Sequence, residues 1–259
     1  MNVNLGEGLS SAFKESLPCA ELFYYESTDS TNTRAKELAR SGREKRDAFF
    51  IAKTQSAGRG RLGRSFSSAE GGLYLSYLTY PDMPAKDVLL LTVFAAVCVC
   101  DTVFETAGIR PGIKWVNDVL ISGKKLSGIL TEGAFDEIGR LKYAVVGIGV
   151  NLYDIGFPPE ISDIAVSLEG AVGKRVGYSD FALRLCKRLS SFDPSENDIY
   201  IEKYREYSAV LGKEVRVLDP GGEYLAAVVA INQDGSLTVI PKGSGEERRV
   251  FSGEISIKL

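Results

Sequence analysis

The chain has 259 residues, 44% of them hydrophobic and 25% charged, enough to bury a substantial core without disulfides or a structural metal. Lys and Arg total 31 against 34 Asp and Glu, a net charge of −3, which argues against wholesale electrostatic binding to nucleic acid or to an anionic membrane. Histidine is absent, so Ser–His and Cys–His pairs, His-ligated metals and an imidazole base are all excluded.

Residues 1–20 are expected to form a short lead-in, loosely ordered or packed against the body, with no basic and apolar signal-peptide pattern. Glu21 to Tyr25 reads as a strand, and Asp29 to Asn32 offers N-cap residues for a helix that stops at Gly42. Ala48 to Ala52 is a continuous apolar run, the pattern of a buried strand. A basic, Gly-rich stretch from Lys53 to Arg64 follows, then a strand from Leu73 to Tyr80. Asp87 to Thr106 reads as a buried helix; its longest apolar run, Val88 to Cys100, falls short of the ~20 residues that span a bilayer. No membrane association is expected.

Short strands are expected at Ile113–Val116 and Val119–Ile121. A turn at Ser122–Lys125 leads into Leu126–Glu132, and Tyr143–Asn151 is a further buried strand. Helical spacing covers Gly177–Phe192 and Asn197–Leu211. Hairpins dominate the middle, which predicts an α+β fold: a mixed or antiparallel sheet with helices on one side. From Gly212 the chain turns β-like, with strands at Glu214–Leu218, Tyr224–Asn232, Ser236–Pro241 and Arg248–Lys258. Turns are signalled at Asp219-Pro220-Gly221-Gly222, Asp234-Gly235 and Gly243-Ser244-Gly245. The expected division is a main domain over 21–211 and a small β-barrel over 212–259 docked on it. Cys19, Cys98, Cys100 and Cys186 form no CxxC and no disulfide framework, which points to a reducing, cytoplasmic setting.

Four stretches carry chemistry. In Gly58-Arg59-Gly60-Arg61-Leu62-Gly63-Arg64, glycines allow close approach of backbone to a ligand and arginines supply forked cationic donors, an anion-cradling loop. A solvated loop or an RNA-binding tract would share that composition. Lys114-Trp115-Val116-Asn117-Asp118 puts a cation, an amide and a carboxylate at a strand end. The carboxylate suits Mg²⁺ with phosphate oxygens, and Trp115 would stack or simply pack. Lys124-Lys125-Leu126-Ser127-Gly128 brings a lysine to a strand with a bare glycine, as either a charge stabiliser or a solvated hairpin. Gly147-Ile148-Gly149-Val150-Asn151 lays glycines in a buried strand, which suggests that something packs on the bare backbone; it is no Rossmann fingerprint, and no Walker A motif occurs. Cations, a carboxylate and a Gly-lined strand without a protein nucleophile suit adenylation, in which a substrate carboxylate attacks the α-phosphate of ATP.

In their order, STNT (30–33), KTQSAGRGRLGRSF (53–66), GGLYLS (71–76), KWVNDVLISGKKLSGIL (114–130), GIGVNL (147–152) and VFSGEISIKL (250–259) make this sequence resemble biotin protein ligases, from Glu21 to the end. The resemblance implies a catalytic domain similar to class II aminoacyl-tRNA synthetases and an SH3-like C-terminal barrel. It implies formation of biotinyl-5′-AMP from biotin and ATP with Mg²⁺, then transfer of biotin to a lysine of a carboxylase carrier domain. It implies that Ser30, Thr31, Asn32, Gln55, Gly58, Arg59, Gly60, Arg61, Lys125, Gly128 and Gly147 serve biotin. Arg61, Arg64, Lys114, Trp115, Asn117 and Asn151 would serve the nucleotide, and Asp118 the Mg²⁺. Lys125, Arg61 and Lys114 would be the catalytic cations.

Three positions depart from the family pattern: Leu62 stands where Arg is common, Phe66 where Trp is common, and Val116 where Pro is common. The twenty residues before the first strand are short for a DNA-binding domain, so a ligase that does not bind DNA is expected. A homodimer and a monomer are both compatible with the sequence. The competing readings are a lipoate–protein ligase, a non-catalytic biotin-binding regulator and a nucleic-acid-binding module.

Overall fold

The computed structural model describes residues 5–219 and 222–257; the Pro220-Gly221 turn and the chain ends, including Lys258, lie outside them. The first element is a helix, α1 (Leu5–Ser16). Leu9 and Phe13 are fully buried, and Phe13 meets Phe49 edge-on at 5.5 Å, so this part of the lead-in is packed against the body.

The main sheet has seven strands: β1 (Glu21–Thr28), β2 (Ala48–Gln55), β3 (Gly72–Thr79), β4 (Gly112–Lys114), β5 (Asp118–Ile121), β6 (Lys124–Phe135) and β7 (Leu141–Asn151). Their order is β1-β2-β3-β7-β6-β5-β4, with β1 parallel to β2 and the other pairs antiparallel, the mixed sheet expected. Side chains alternate across it. Phe49, Ile51, Leu75, Tyr77, Val146 and Ile148 join the large core, while Ala48, Phe50, Leu78, Tyr143 and Val145 join a smaller one on the other face.

Helix α3 (Leu89–Ala107) is the expected apolar helix. With its leading turn it is long and apolar enough to cross a membrane, yet most of it is buried here. It packs between the sheet and the helices α5 (Tyr178–Leu189) and α6 (Asn197–Tyr207), and a short helix α4 (Leu168–Val172) lies beside it. Gly108 ends α3 in the left-handed conformation that an L side chain disfavours. Helix α2 (Thr31–Arg40) covers the opposite face, where Ala35 joins the smaller core. Helices therefore flank both faces, not one as expected. The sequence conceals this because α2 is short, largely polar and contributes few apolar residues.

The C-terminal segment forms an antiparallel sheet in the order β11-β10-β9-β8-β12, from β8 (Glu214–Asp219), β9 (Gly222–Ile231), β10 (Leu237–Pro241), β11 (Arg248–Val250) and β12 (Glu254–Ile257). It docks through buried polar contacts. The Trp115 indole N–H donates to Gly235 O at 2.8 Å, and Arg205 reaches Ile231 O at 2.7 Å. Gly235, at φ 79°, leaves space only because it lacks a Cβ, which would meet Val93 at 3.1 Å.

Candidate functional site

One cross-strand row organises the site. Lys114 pairs Asp118, Asp118 pairs Gly128, Gly128 pairs Gly149, and Gly149 pairs Tyr74, across β4, β5, β6, β7 and β3. The next row holds Leu130, Gly147 and Ser76. Three glycines in adjacent rows leave a trough on the α2 face of the sheet. Helix α2 covers one end of it, and the Gly-Arg loop between β2 and β3 closes the other. The pocket brings together Ser30, Thr31, Asn32, Gln55, Arg59, Gly60, Arg61, Asn117, Lys125, Gly128 and Gly147, all of them expected from sequence.

The trough glycines admit protein side chains as well as lining the pocket. A Cβ on Gly147 would lie 2.2 Å from Asn32 Oδ1, and one on Gly149 would lie 2.4 Å from the Phe66 ring. Gly58 lies on the loop just outside the pocket, where a Cβ would meet Phe66 O and Ser68 Oγ, each at 2.4 Å.

The floor is a neutral hydrogen-bond network. The Thr31 backbone N–H donates to Gln55 Oε1 at 2.8 Å, and the Thr31 hydroxyl lies 3.0 Å from the same oxygen. Gln55 Nε2 donates to Ser68 at 2.9 Å. Ser76 Oγ lies 2.7 Å from Thr31 Oγ1 and 2.5 Å from Asn32 Oδ1. Ser30 occupies the N-cap position of α2, but its side chain makes no capping bond and lines the pocket. Asp29 takes over part of that role, accepting from the Ser30 N–H and from Arg34; the Arg34 guanidinium chiefly holds its carboxyl below the usual range.

The mouth is charged. Asp118, buried, faces Lys125 Nζ at 2.6 Å through one oxygen and Lys114 Nζ at 3.1 Å through the other. The Lys125 approach is that of an ion pair without hydrogen-bond alignment, so Asp118 Oδ1 has charge compensation but no directed donor. Arg61 donates to Asn117 Oδ1 at 3.0 Å and to Gly253 O at 3.2 Å, which ties the loop to the C-terminal sheet. Asn117 Nδ2 is held by Ile129 O at 3.0 Å.

Lys125 is fixed through its backbone too. Its N–H donates to Ile164 O at 2.7 Å and its carbonyl accepts from the Val166 N–H at 3.0 Å. Asn151 Nδ2 braces this junction, 3.3 Å from both Lys125 O and Val166 O. The segment following β7 thereby forms one wall of a second, apolar pocket of ≈ 330 Å³, which Arg64, Phe66, Lys125 and Asn151 share. A third, polar pocket is lined by Arg61, Arg64, Lys114, Asn117, Asp118 and Lys125.

Two expectations meet a different arrangement. Trp115 borders the polar pocket, but its ring is buried and its N–H is spent on Gly235 O, so it joins the domains rather than offering a stacking face. Asp118 is an ion-pair centre whose two oxygens face ammonium groups. Among the described residues no group of three or more Cys, Asp or Glu is placed to hold a metal. A dication at Asp118 would have to displace two ammonium groups from the carboxylate, so among the described residues no preformed, all-protein Mg²⁺ site stands here.

Sequence reasoning missed Ser76, Tyr74, Lys36, Glu132 and the segment after β7. Strand and helix periods could have found two of them. Glu132 shares a strand face with Gly128 and Leu130, and Lys36 stands four residues beyond Asn32 on α2.

Residues 24–151 match the family described as biotin/lipoate A/B protein ligase family, and residues 210–258 match the biotin protein ligase C terminal domain. The bifunctional ligase/repressor BirA of Bacillus subtilis is 32% identical over 91% of this chain and 74% of its own length. The biotin–[acetyl-CoA-carboxylase] ligase of Mycobacterium tuberculosis is 32% identical over 81% of this chain and 79% of its own. Among solved structures, the biotin protein ligase of Aquifex aeolicus in complex with biotin and ATP superposes with a TM-score of 0.75 at 29% identity, covering 92% of this chain and 98% of the other.

Proposed function

Since the chain belongs to the biotin protein ligase family, and is an ATP-dependent ligase that activates biotin and transfers it to protein, we propose how its residues divide that work. The observation that carries the division is the place of Lys125. It borders all three pockets, the neutral one, the apolar one and the cationic one.

Biotin fills the first pocket with its ureido ring on the floor of Thr31, Asn32 and Gln55, backed by Ser76, and its carboxylate toward Lys125. The nucleotide base takes the apolar pocket beside Phe66 and Asn151, and the phosphates take the cationic one. A carboxylate oxygen then attacks the α-phosphorus, the bond to the bridging oxygen of pyrophosphate breaks, and pyrophosphate leaves. Negative charge on the transferring phosphoryl group grows where Lys125, Lys114 and Arg61 already stand, so little reorganisation is needed. In the second step a lysine amine of the acceptor attacks the acyl carbon, the C–O bond breaks, the nitrogen sheds its proton, and AMP leaves.

Mg²⁺ is best read as the counter-ion that ATP carries on its own phosphates. The acceptor is a biotin carrier domain of a carboxylase. The cytoplasm supplies ATP and keeps Cys19, Cys98, Cys100 and Cys186 reduced, as they are here.

Biotin-dependent exchange of pyrophosphate into ATP tests the reading, with lipoate as the parallel acid. Exchange with biotin alone is expected. Exchange with lipoate alone would reassign the acid, and exchange with neither would reduce the protein to a binder.

A further inference from the structure

The floor of the biotin pocket contains more hydroxyl-linked contacts than hydroxyl hydrogens. Thr31 Oγ1 meets Gln55 Oε1 at 3.0 Å, Ser76 Oγ meets Thr31 Oγ1 at 2.7 Å, and Ser76 Oγ meets Asn32 Oδ1 at 2.5 Å. Amide oxygens only accept, so two hydroxyl hydrogens must serve three contacts. The deficit persists only while Asn32 keeps its oxygen toward Ser76. Were its NH₂ there instead, Asn32 would donate to Ser76, Ser76 to Thr31 and Thr31 to Gln55, and every contact would be satisfied without a ligand.

What holds the amide in the demanding orientation lies behind it. Asn32 Nδ2 donates to Glu132 Oε2 at 2.8 Å, and the other oxygen of Glu132 is paired with Lys36 Nζ at 2.7 Å. An ionised carboxylate only accepts, so it can face the NH₂ end of Asn32 and not the oxygen end. Burial alone would raise the Glu132 carboxyl. The hydrogen bonds from Lys36 and Asn32, with the Lys36 and Arg59 charges, outweigh it and hold the group below the usual carboxylate range, ionised at neutral pH.

We propose that Glu132, anchored by Lys36, is a positioning and specificity-determining residue: it orients the Asn32 amide so that the pocket floor presents acceptors and is completed by a ligand that donates ring N–H groups. The cyclic urea of biotin has two such groups, whereas a dithiolane has none. This rests on the biotin reading, which wild-type biotin-dependent exchange checks separately.

The test is discrimination between biotin and biotin methylated on its ureido nitrogens, read as the ratio of dissociation constants by calorimetry. The wild type is expected to reject the methylated ligand by about 100-fold or more, because each buried acceptor then stays unpaired. Equal binding by the wild type overturns the proposal. In Glu132→Gln the second amide can accept or donate, so only the long contact of Asn32 Nδ2 with Leu130 O, at 3.5 Å, still favours the original orientation, and Asn32 can turn. The ratio is expected to fall about 10-fold, chiefly through weaker biotin binding, with kcat at saturating biotin and KM for ATP nearly unchanged. A weakening of both ligands by the same factor would mean a merely structural role and overturns the proposal. Lys36→Met keeps the carboxylate but removes its anchor, and is read if Glu132→Gln does not fold. It should lower the ratio by a smaller factor, and an unchanged ratio there also counts against the proposal.

Discussion

The two ends of the pocket are built on different physics. The floor is neutral, deeply buried and directional: Thr31, Asn32 and Ser76 lie at or below 5% exposure in close polar contact with one another. The mouth is charged and half-open, with Lys125 and Lys114 side chains 35% and 28% exposed around one carboxylate. A buried network discriminates because an unpaired member costs the full desolvation of that group. A cationic cluster discriminates little but stabilises charge that develops during reaction. The floor should therefore govern which acid binds, and the mouth how fast it is activated.

The largest effect should come from the mouth. Lys125→Ala is expected to slow adenylate formation by about 10²- to 10³-fold, with a much smaller change in biotin affinity. Single-turnover kinetics beside biotin titration checks this, and a loss confined to affinity would erase the division between the two ends. Next comes the floor. Gly147→Ala puts a Cβ where Asn32 Oδ1 now sits, so biotin should bind about 100-fold more weakly while ATP binds as before. Unaltered biotin affinity in that variant would show that Asn32 does not shape the floor.

Asp118→Asn leaves the Lys114 and Lys125 ammonium groups without their shared counter-charge, and the KM for ATP should shift by about 10-fold. A smaller effect is expected away from both ends. Trp115→Phe strands Gly235 O in the domain joint and should cost about 1–2 kcal/mol of stability, read as a lower Tm, with kcat within about twofold of the parent. The smallest concerns Leu62, which holds φ 55° at the loop's 3₁₀ turn with its side chain 71% exposed. Leu62→Gly relieves that conformation at little loss of contact, so stability should change by about 0.5 kcal/mol or less, in the stabilising direction. A large loss of activity there would assign the exposed leucine a role in the reaction.

Much of the site was legible along the chain because its chemistry is concentrated in short runs. The Gly-Arg loop, the Lys114–Asp118 strand end and the Gly147–Gly149 strand each carry residue types whose local spacing implies an anion or a close approach. Asp118 and Trp115 show where that reading stops. Their types permit metal binding and stacking, but folding gives each group another partner: Lys114 and Lys125, on the strands flanking Asp118, for its carboxylate, and Gly235, 120 positions along the chain, for the Trp115 indole.

The sequence by itself determined the strand-rich α+β pattern, the buried apolar helix, the β-rich C-terminal segment and the Gly-Arg loop, since strand alternation, helix period and turn chemistry are local properties of the chain; Ser30, Thr31, Asn32 and Gln55 were reached through the resemblance to a family, not through local pattern. Only the tertiary structure decided which glycine row lies beneath which side chain, that helices flank both faces, and that Glu132 stands behind Asn32, 100 positions away in the chain. Strand register and helix docking set these juxtapositions, and both are determined by packing across the whole sheet. The direction of a hydrogen bond between distant side chains has no signature in either partner's own neighbourhood.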